Sequence, residues 1–124
     1  MISIMKQVER AHCIALISWR DAVIERYPEL ALLHHIPNGG YRDKITAANL
    51  KRMGTLAGVF DYCLPVARKG HHGLYLEMKA PGGRLSDSQK RFAGMLQKEN
   101  YCTNIATDWE QAAKILEWYL KNED

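Results

Sequence analysis

The sequence predicts an α/β domain, a mixed central β-sheet flanked by helices in the order α-β-α-β-β-α-β-α, and three observations carry that reading. Apolar residues recur at helical spacing in segments that alternate with short β-type runs, and two capping-box patterns open helices in the second half. The 124 residues contain no linker, repeat or low-complexity tract, so residues 1–124 read as a single domain.

Taken in order, Met5, Val8, Ala11, Ala15, Trp19 and Ala22 recur every three or four residues from Ser3 to about Arg26, the pattern of a long amphipathic helix ended before Pro28. Leu30 to Ile36 reads as a short apolar strand, stopped by Pro37-Asn38-Gly39-Gly40. Asp43 to Met53 is a second helix, with Gly54 placed as the residue that ends it. Phe60 to Val66 and Gly73 to Lys79 are β-type runs joined by a basic tip, Arg68-Lys69-Gly70-His71-His72, and form an antiparallel hairpin; Pro65 cannot donate to a ladder, so the first run is irregular near that end. Ser86-Asp87-Ser88-Gln89 opens a helix containing Phe92, Met95 and Leu96. Tyr101 to Ala106 is a further strand. Thr107-Asp108-Trp109-Glu110 then reads as a capping box with Thr107 as the cap, before a last helix whose apolar side is Ala112, Ala113, Leu116, Tyr119 and Leu120.

Composition bounds the functional class. A chain that is 47% hydrophobic and 25% charged is neither disordered nor fibrous. A domain of this size buries about 60–70% of the surface of its unfolded chain, so a metal is not needed for folding and would serve chemistry. The net charge of +3 permits a nucleic-acid partner without requiring one. Cys13, Cys63 and Cys102 are odd in number and widely spaced, which predicts neither a disulfide framework nor a zinc knuckle. With no export signal or membrane-length apolar run, a cytoplasmic location is expected, and no membrane partner.

The chemistry concentrates in Gly73-Leu74-Tyr75-Leu76-Glu77-Met78-Lys79. On a strand, Leu74, Leu76 and Met78 share one face, while Tyr75, Glu77 and Lys79 share the other. A hairpin turn centred near Lys69 places Asp61 directly opposite Glu77, and like charges so opposed destabilise the pair unless a cation lies between them. Two hard oxygen ligands suit Mg²⁺ or Mn²⁺, and Lys79 beside them would position a water or offset charge on a phosphate. Spacing alone leaves a plainer alternative: Asp61 ends a turn, and Glu77 and Lys79 line the solvated side of a half-exposed strand.

Asp61 followed by Glu77-x-Lys79 resembles the motif of the PD-(D/E)xK nuclease superfamily. His35-Ile36-Pro37-Asn38-Gly39-Gly40, Gly54-Thr55-Leu56-Ala57-Gly58-Val59-Phe60-Asp61, Leu76-Glu77-Met78-Lys79 and Leu85-Ser86-Asp87-Ser88-Gln89 resemble, in that order, the virus-type replication-repair nuclease (VRR-NUC) domain of that superfamily. The resemblance implies a single PD-(D/E)xK-type domain, Mg²⁺ or Mn²⁺ dependence, and endonuclease activity on branched DNA in a bacterial or phage-infected host cell. Small stand-alone members are implied to act as homodimers on four-way (Holliday) junctions, whereas the domain within larger repair nucleases works on flaps. Position by position, Asp61 and Glu77 match the metal carboxylates, the Met78 carbonyl a further metal ligand, and Lys79 the catalytic lysine. Glu9 matches a helical glutamate that reaches the metal through water, and Gln89 a glutamine counted with the catalytic residues. The proline usual before the first aspartate is replaced by Phe60.

Each remaining candidate carries two readings. Without the resemblance Glu9 is a solvated helix residue, and Gln89 is explained as a capping-box residue. Asn38 and Gly39, with Gly40, form either an ordinary loop or a backbone approach to a phosphate. Arg68, Lys69, His71 and His72 are either a solvated turn or a DNA-backbone contact. Lys44, Lys51, Arg52, Arg84, Lys90 and Arg91 are either solubilising or phosphate-neutralising. Adjacent histidines on a strand point to opposite faces, so His34, His35, His71 and His72 make no zinc-binding arm. Three functions follow: a metal-dependent branched-DNA endonuclease, a catalytically silent branched-DNA-binding module, or a histidine-metal nuclease built around His35. A four-way junction has approximate two-fold symmetry, so symmetric cuts by a one-site chain call for a homodimer; a helicase partner is left unidentified.

Overall fold

The computed structural model describes residues 3–37 and 43–122, so Asn38, Gly39 and Gly40 lie outside the described residues. Four strands form one sheet in the order β1-β2-β3-β4. β1 (His34–His35) pairs antiparallel with β2 (Tyr62–Leu64), and β2 pairs antiparallel with β3 (Leu74–Met78). β3 pairs parallel with β4 (Cys102–Ala106), which makes the sheet mixed, as expected. α1 (Ile4–Val23) and α4 (Trp109–Leu120) pack together on the Leu74–Leu76 face, and α3 (Asp87–Lys98) lies on the other face, its Phe92 ring edge-on to Tyr75 at 5.4 Å. The remaining helix, α2 (Lys44–Arg52), joins β1 to the segment leading into β2.

Periodicity explains most of the burial. In α4, Ala112, Ala113, Leu116, Tyr119 and Leu120 are the buried residues, the expected stripe. The Tyr119 hydroxyl donates to the Val66 carbonyl at 2.6 Å, which satisfies the one polar atom this face carries into the core. β3 is an interior strand, and Leu74, Leu76 and Met78 are all essentially inaccessible. At the far end of the hairpin, Lys69 and Gly70 both have positive φ, the two-residue turn whose twist matches paired strands.

Four details differ from expectation. The first strand is only His34–His35; Pro28–Leu32 is a 3-10 helix, with proline opening it and Leu30 buried beneath. The first hairpin strand is Tyr62–Leu64 rather than Phe60–Val66, because pairing ends at Pro65 on one side and at the Asp61 turn on the other. In α1 Leu16 is buried and Cys13, Ile17, Trp19 and Val23 are half-buried against the core, so of the expected stripe Trp19 packs inward while Met5, Ala11 and Ala22 are exposed. Larger side chains win that competition, and Ile4 and Met5 in the first turn are exposed. Finally, Asp108 rather than Thr107 caps α4: its carboxylate accepts from the Gln111 N–H at 2.7 Å, and Gln111 Oε1 reaches back to Thr107. No described helix is long and apolar enough to cross a membrane.

Candidate active site

The hairpin register pairs Tyr62 with Leu76 and, carried one residue further, sets Asp61 across from Glu77 as expected. Two hydrogen bonds lock the pair crosswise. The Asp61 N–H donates to Glu77 Oε1 at 3.1 Å, and the Met78 N–H donates to Asp61 Oδ2 at 2.8 Å. The N–H and C=O of a strand residue project to the same side, so the Met78 carbonyl faces the Asp61 side. Lys79 Nζ stands 3.3 Å from Glu77 Oε2, and the same oxygen accepts from Gln89 Nε2 at 2.7 Å. Asp61, Glu77, Lys79 and Gln89 thus converge. The plainer alternative of a solvated strand face is excluded by burial: Glu77 is 4% exposed, because α3 covers that face.

Burying two carboxylates together has an electrostatic cost. Desolvation, followed by the neighbouring Asp61 charge, pushes the Glu77 carboxyl from its ordinary value up to about 7, against the pull of Lys79 and Gln89. Burial likewise raises Asp61, opposed chiefly by the Met78 N–H and then by the positive field of His35, with Glu9 adding to the rise. One lysine does not neutralise the two acids. Hard oxygen donors held close in a partly dry site fit a divalent cation.

The surrounding chain aims these groups. Gln89 closes the capping box and also contacts the acids: its Oε1 accepts from the Ser86 N–H at 2.9 Å, which turns its amide nitrogen toward Glu77. The segment leading to Asp61 is pressed against that same turn of α3. A Cβ at Gly58, whose φ is +90°, would lie 2.5 Å from the Ser88 carbonyl and 2.9 Å from the Gln89 nitrogen. Phe60, in the place of the family's proline, is buried against Phe92 with ring centroids 5.9 Å apart. Sequence reasoning passed over Gly58 as a site-building residue; its only signal was a glycine three positions before the aspartate.

Glu9 reaches the rim of the site from α1, where its Oε1 accepts from the Ala80 N–H at 3.2 Å. Among the described residues no group of three or more His, Cys, Asp and Glu side chains stands in metal-holding geometry; the two carboxylates that oppose each other here are Asp61 and Glu77. That suits Mg²⁺, which commonly takes one or two carboxylates and fills its other positions with water and substrate phosphate.

The proposed DNA contacts separate into two regions. Lys44 on α2 and Arg84 on the loop leaving β3 are exposed. Arg68, Lys69, His71 and His72 sit at the opposite end of the hairpin, about 20 Å from Glu77 at the usual strand rise. There they bind the protein itself. Arg68 pairs with Glu29 at 2.9 Å, Lys69 Nζ donates to the Lys121 carbonyl at 3.0 Å, His71 Nδ1 lies 3.3 Å from the Asn100 carbonyl, and His72 packs against Tyr101. The structure does not bring this tip to the site. His35 is exposed on β1, its ring tilted against Tyr62 at 5.2 Å.

Compared with protein-family models, residues 16–108 match the VRR-NUC domain. A solved structure described as a VRR_NUC domain protein superposes with a TM-score of 0.75 and 28% sequence identity, over 94% of this chain and 92% of that one. Among curated proteins nothing matches.

Proposed function

Because this chain belongs to the VRR-NUC domain family, a nuclease-type domain, we propose that it is a Mg²⁺- or Mn²⁺-dependent endodeoxyribonuclease acting on branched DNA, four-way junctions foremost, as a homodimer. The observation that carries this reading is the Asp61–Glu77 pair, Glu77 buried and Asp61 half-buried, with Lys79 3.3 Å from Glu77. Asp61, Glu77 and the Met78 carbonyl would hold the ion, with Glu9 joining through water. When bound, such an ion lowers the pKa of water and polarises a phosphoryl oxygen.

The chain's own residues do the rest. Lys79 supplies a cation beside the phosphate, where charge builds up as the phosphodiester is attacked, and its ammonium holds the attacking water in line. Gln89 donates to Glu77 and so favours the ionised carboxylate that a metal requires. The crossed bonds between Asp61 and the Glu77–Met78 segment hold the two acids in place before substrate arrives. Lys44 and Arg84 neutralise flanking phosphates, which makes binding fall with salt.

The test is nicking of a synthetic four-way junction, compared with flap, continuous duplex and single strand, in Mg²⁺, Mn²⁺ or EDTA. Cleavage that needs the metal and is lost in Glu77→Ala and Lys79→Ala, both still folded, is the expected result. Equal cleavage by those variants would sink the proposal, and junction binding with no product in any metal would leave a silent binding module. Light scattering reports the dimer.

A further inference from the structure

α2 contributes nothing to the core. None of its residues is buried, and Ile45 on it, with Met53 and Leu56 just beyond, are 76%, 81% and 58% exposed. A helix this short is held in proteins by an apolar stripe against the fold. α2 instead presents Lys44, Lys51 and Arg52 and has no carboxylate between them. Its inner side and the segment that follows border an open cleft of about 640 Å³, lined by Ala47, Leu50, Lys51, Leu56 and Gly58 among others, all of them exposed or half-exposed. The Gly58 wall is the part pressed against Ser88 and Gln89, and Gln89 holds Glu77. Gly58 lies three residues from Asp61, at most about 11 Å along an extended chain. That span covers roughly three nucleotides of a strand at about 3.4 Å each.

The geometry points to this cleft as a binding site for an unpaired nucleotide beside the branch point of the substrate. Its small apolar walls take the base, Lys51 at the rim takes that nucleotide's phosphate, and Lys44 and Arg52 take its neighbours. A continuous duplex keeps its bases stacked, whereas a strand at a branch or gap gives one up cheaply. The exposed Met53 and Leu56 cover the opened step, as apolar wedges do in proteins that bind distorted DNA. This assignment rests on the nuclease reading above and adds what distinguishes a branched strand from a continuous one.

Anisotropy titrations in EDTA with the full chain test it, using a labelled continuous duplex and a labelled four-way junction of equal length with unpaired nucleotides at its centre. Ala47→Trp fills the cleft from an exposed helix position, and Leu56→Ser strips its wall. Each is expected to lower the ratio of junction to duplex affinity by about tenfold, the scale of losing the burial of one apolar side chain. An unchanged ratio in both variants overturns the proposal. So does a lower assembly mass for the variants than for the parent, because the cleft is then a contact between copies. The ratio is read without metal, so failure of the parent to nick DNA in Mg²⁺ or Mn²⁺ removes the nuclease reading and leaves this measurement intact.

Discussion

At the scale of single residues, Glu77 sets folding against chemistry. Its carboxyl is raised in the fold from an ordinary 4.5 to about 7, so the folded chain holds that proton more tightly than the unfolded one. The stability this contributes is full below pH about 4.5 and is lost as pH rises through about 7. The metal-free melting temperature should therefore fall between pH 5 and 8. Asp61→Asn keeps an acceptor for the Met78 N–H and removes one of the two charges. At pH 8 in EDTA it should melt about 4 °C above the parent, a gain of roughly 1 kcal/mol, while metal-dependent nicking disappears. A lower melting temperature for the variant would show that the acids do not repel across the hairpin. Strand alternation and hairpin register were enough to pair Asp61 with Glu77 and to set Lys79 beside it. The dryness of Glu77 was not legible, because it depends on α3, whose position over that face is a tertiary fact.

At the scale of elements, the helix caps separate scaffolding from site. Ser86→Ala removes the hydroxyl that accepts from the Gln89 N–H but leaves the Ser86 N–H that orients the Gln89 side chain. It should cost about 1 kcal/mol of stability and change nicking little. Gln89→Ala also removes the donor to Glu77, and a hydrogen bond to a charged group is worth about 1.5–3 kcal/mol, so turnover should fall about tenfold to a hundredfold. Similar turnover in the two variants would confine Gln89 to capping. In α4, Asp108→Ala should cost about 1 kcal/mol and Thr107→Ala less, as thermal melts would show, because Asp108 is the residue that meets the Gln111 N–H. The sequence pointed to a cap here one residue early, since Thr and Asp are both good caps and only the backbone turn selects between them. The first strand was misread for a related reason. Leu30 to Leu33 is apolar enough for either state, and Pro28 favours the helical turn that the fold adopts.

At the scale of the whole molecule, metal binding and folding should be linked. Mn²⁺ stabilises the folded chain only to the extent that Asp61 and Glu77 have lost their protons, so its effect on the melting temperature should be larger at pH 8 than at pH 6. An equal shift at both values would place the ion away from this pair. By itself the sequence determined the alternation of helices and strands, the mixed sheet, the α4 stripe and the hairpin that opposes two acids. Each of these follows from local periodicity and turn chemistry, while the family resemblance singled out Glu9 and Gln89. Only the tertiary structure decided which side of α1 is buried, that Glu77 is dry, that Gly58 presses the Asp61 segment onto the Gln89 turn, and that α2 stands clear of the core. The physical reason is that these depend on which surfaces meet across long separations in the chain, and a side chain's pattern along its own element does not specify the partner it will face.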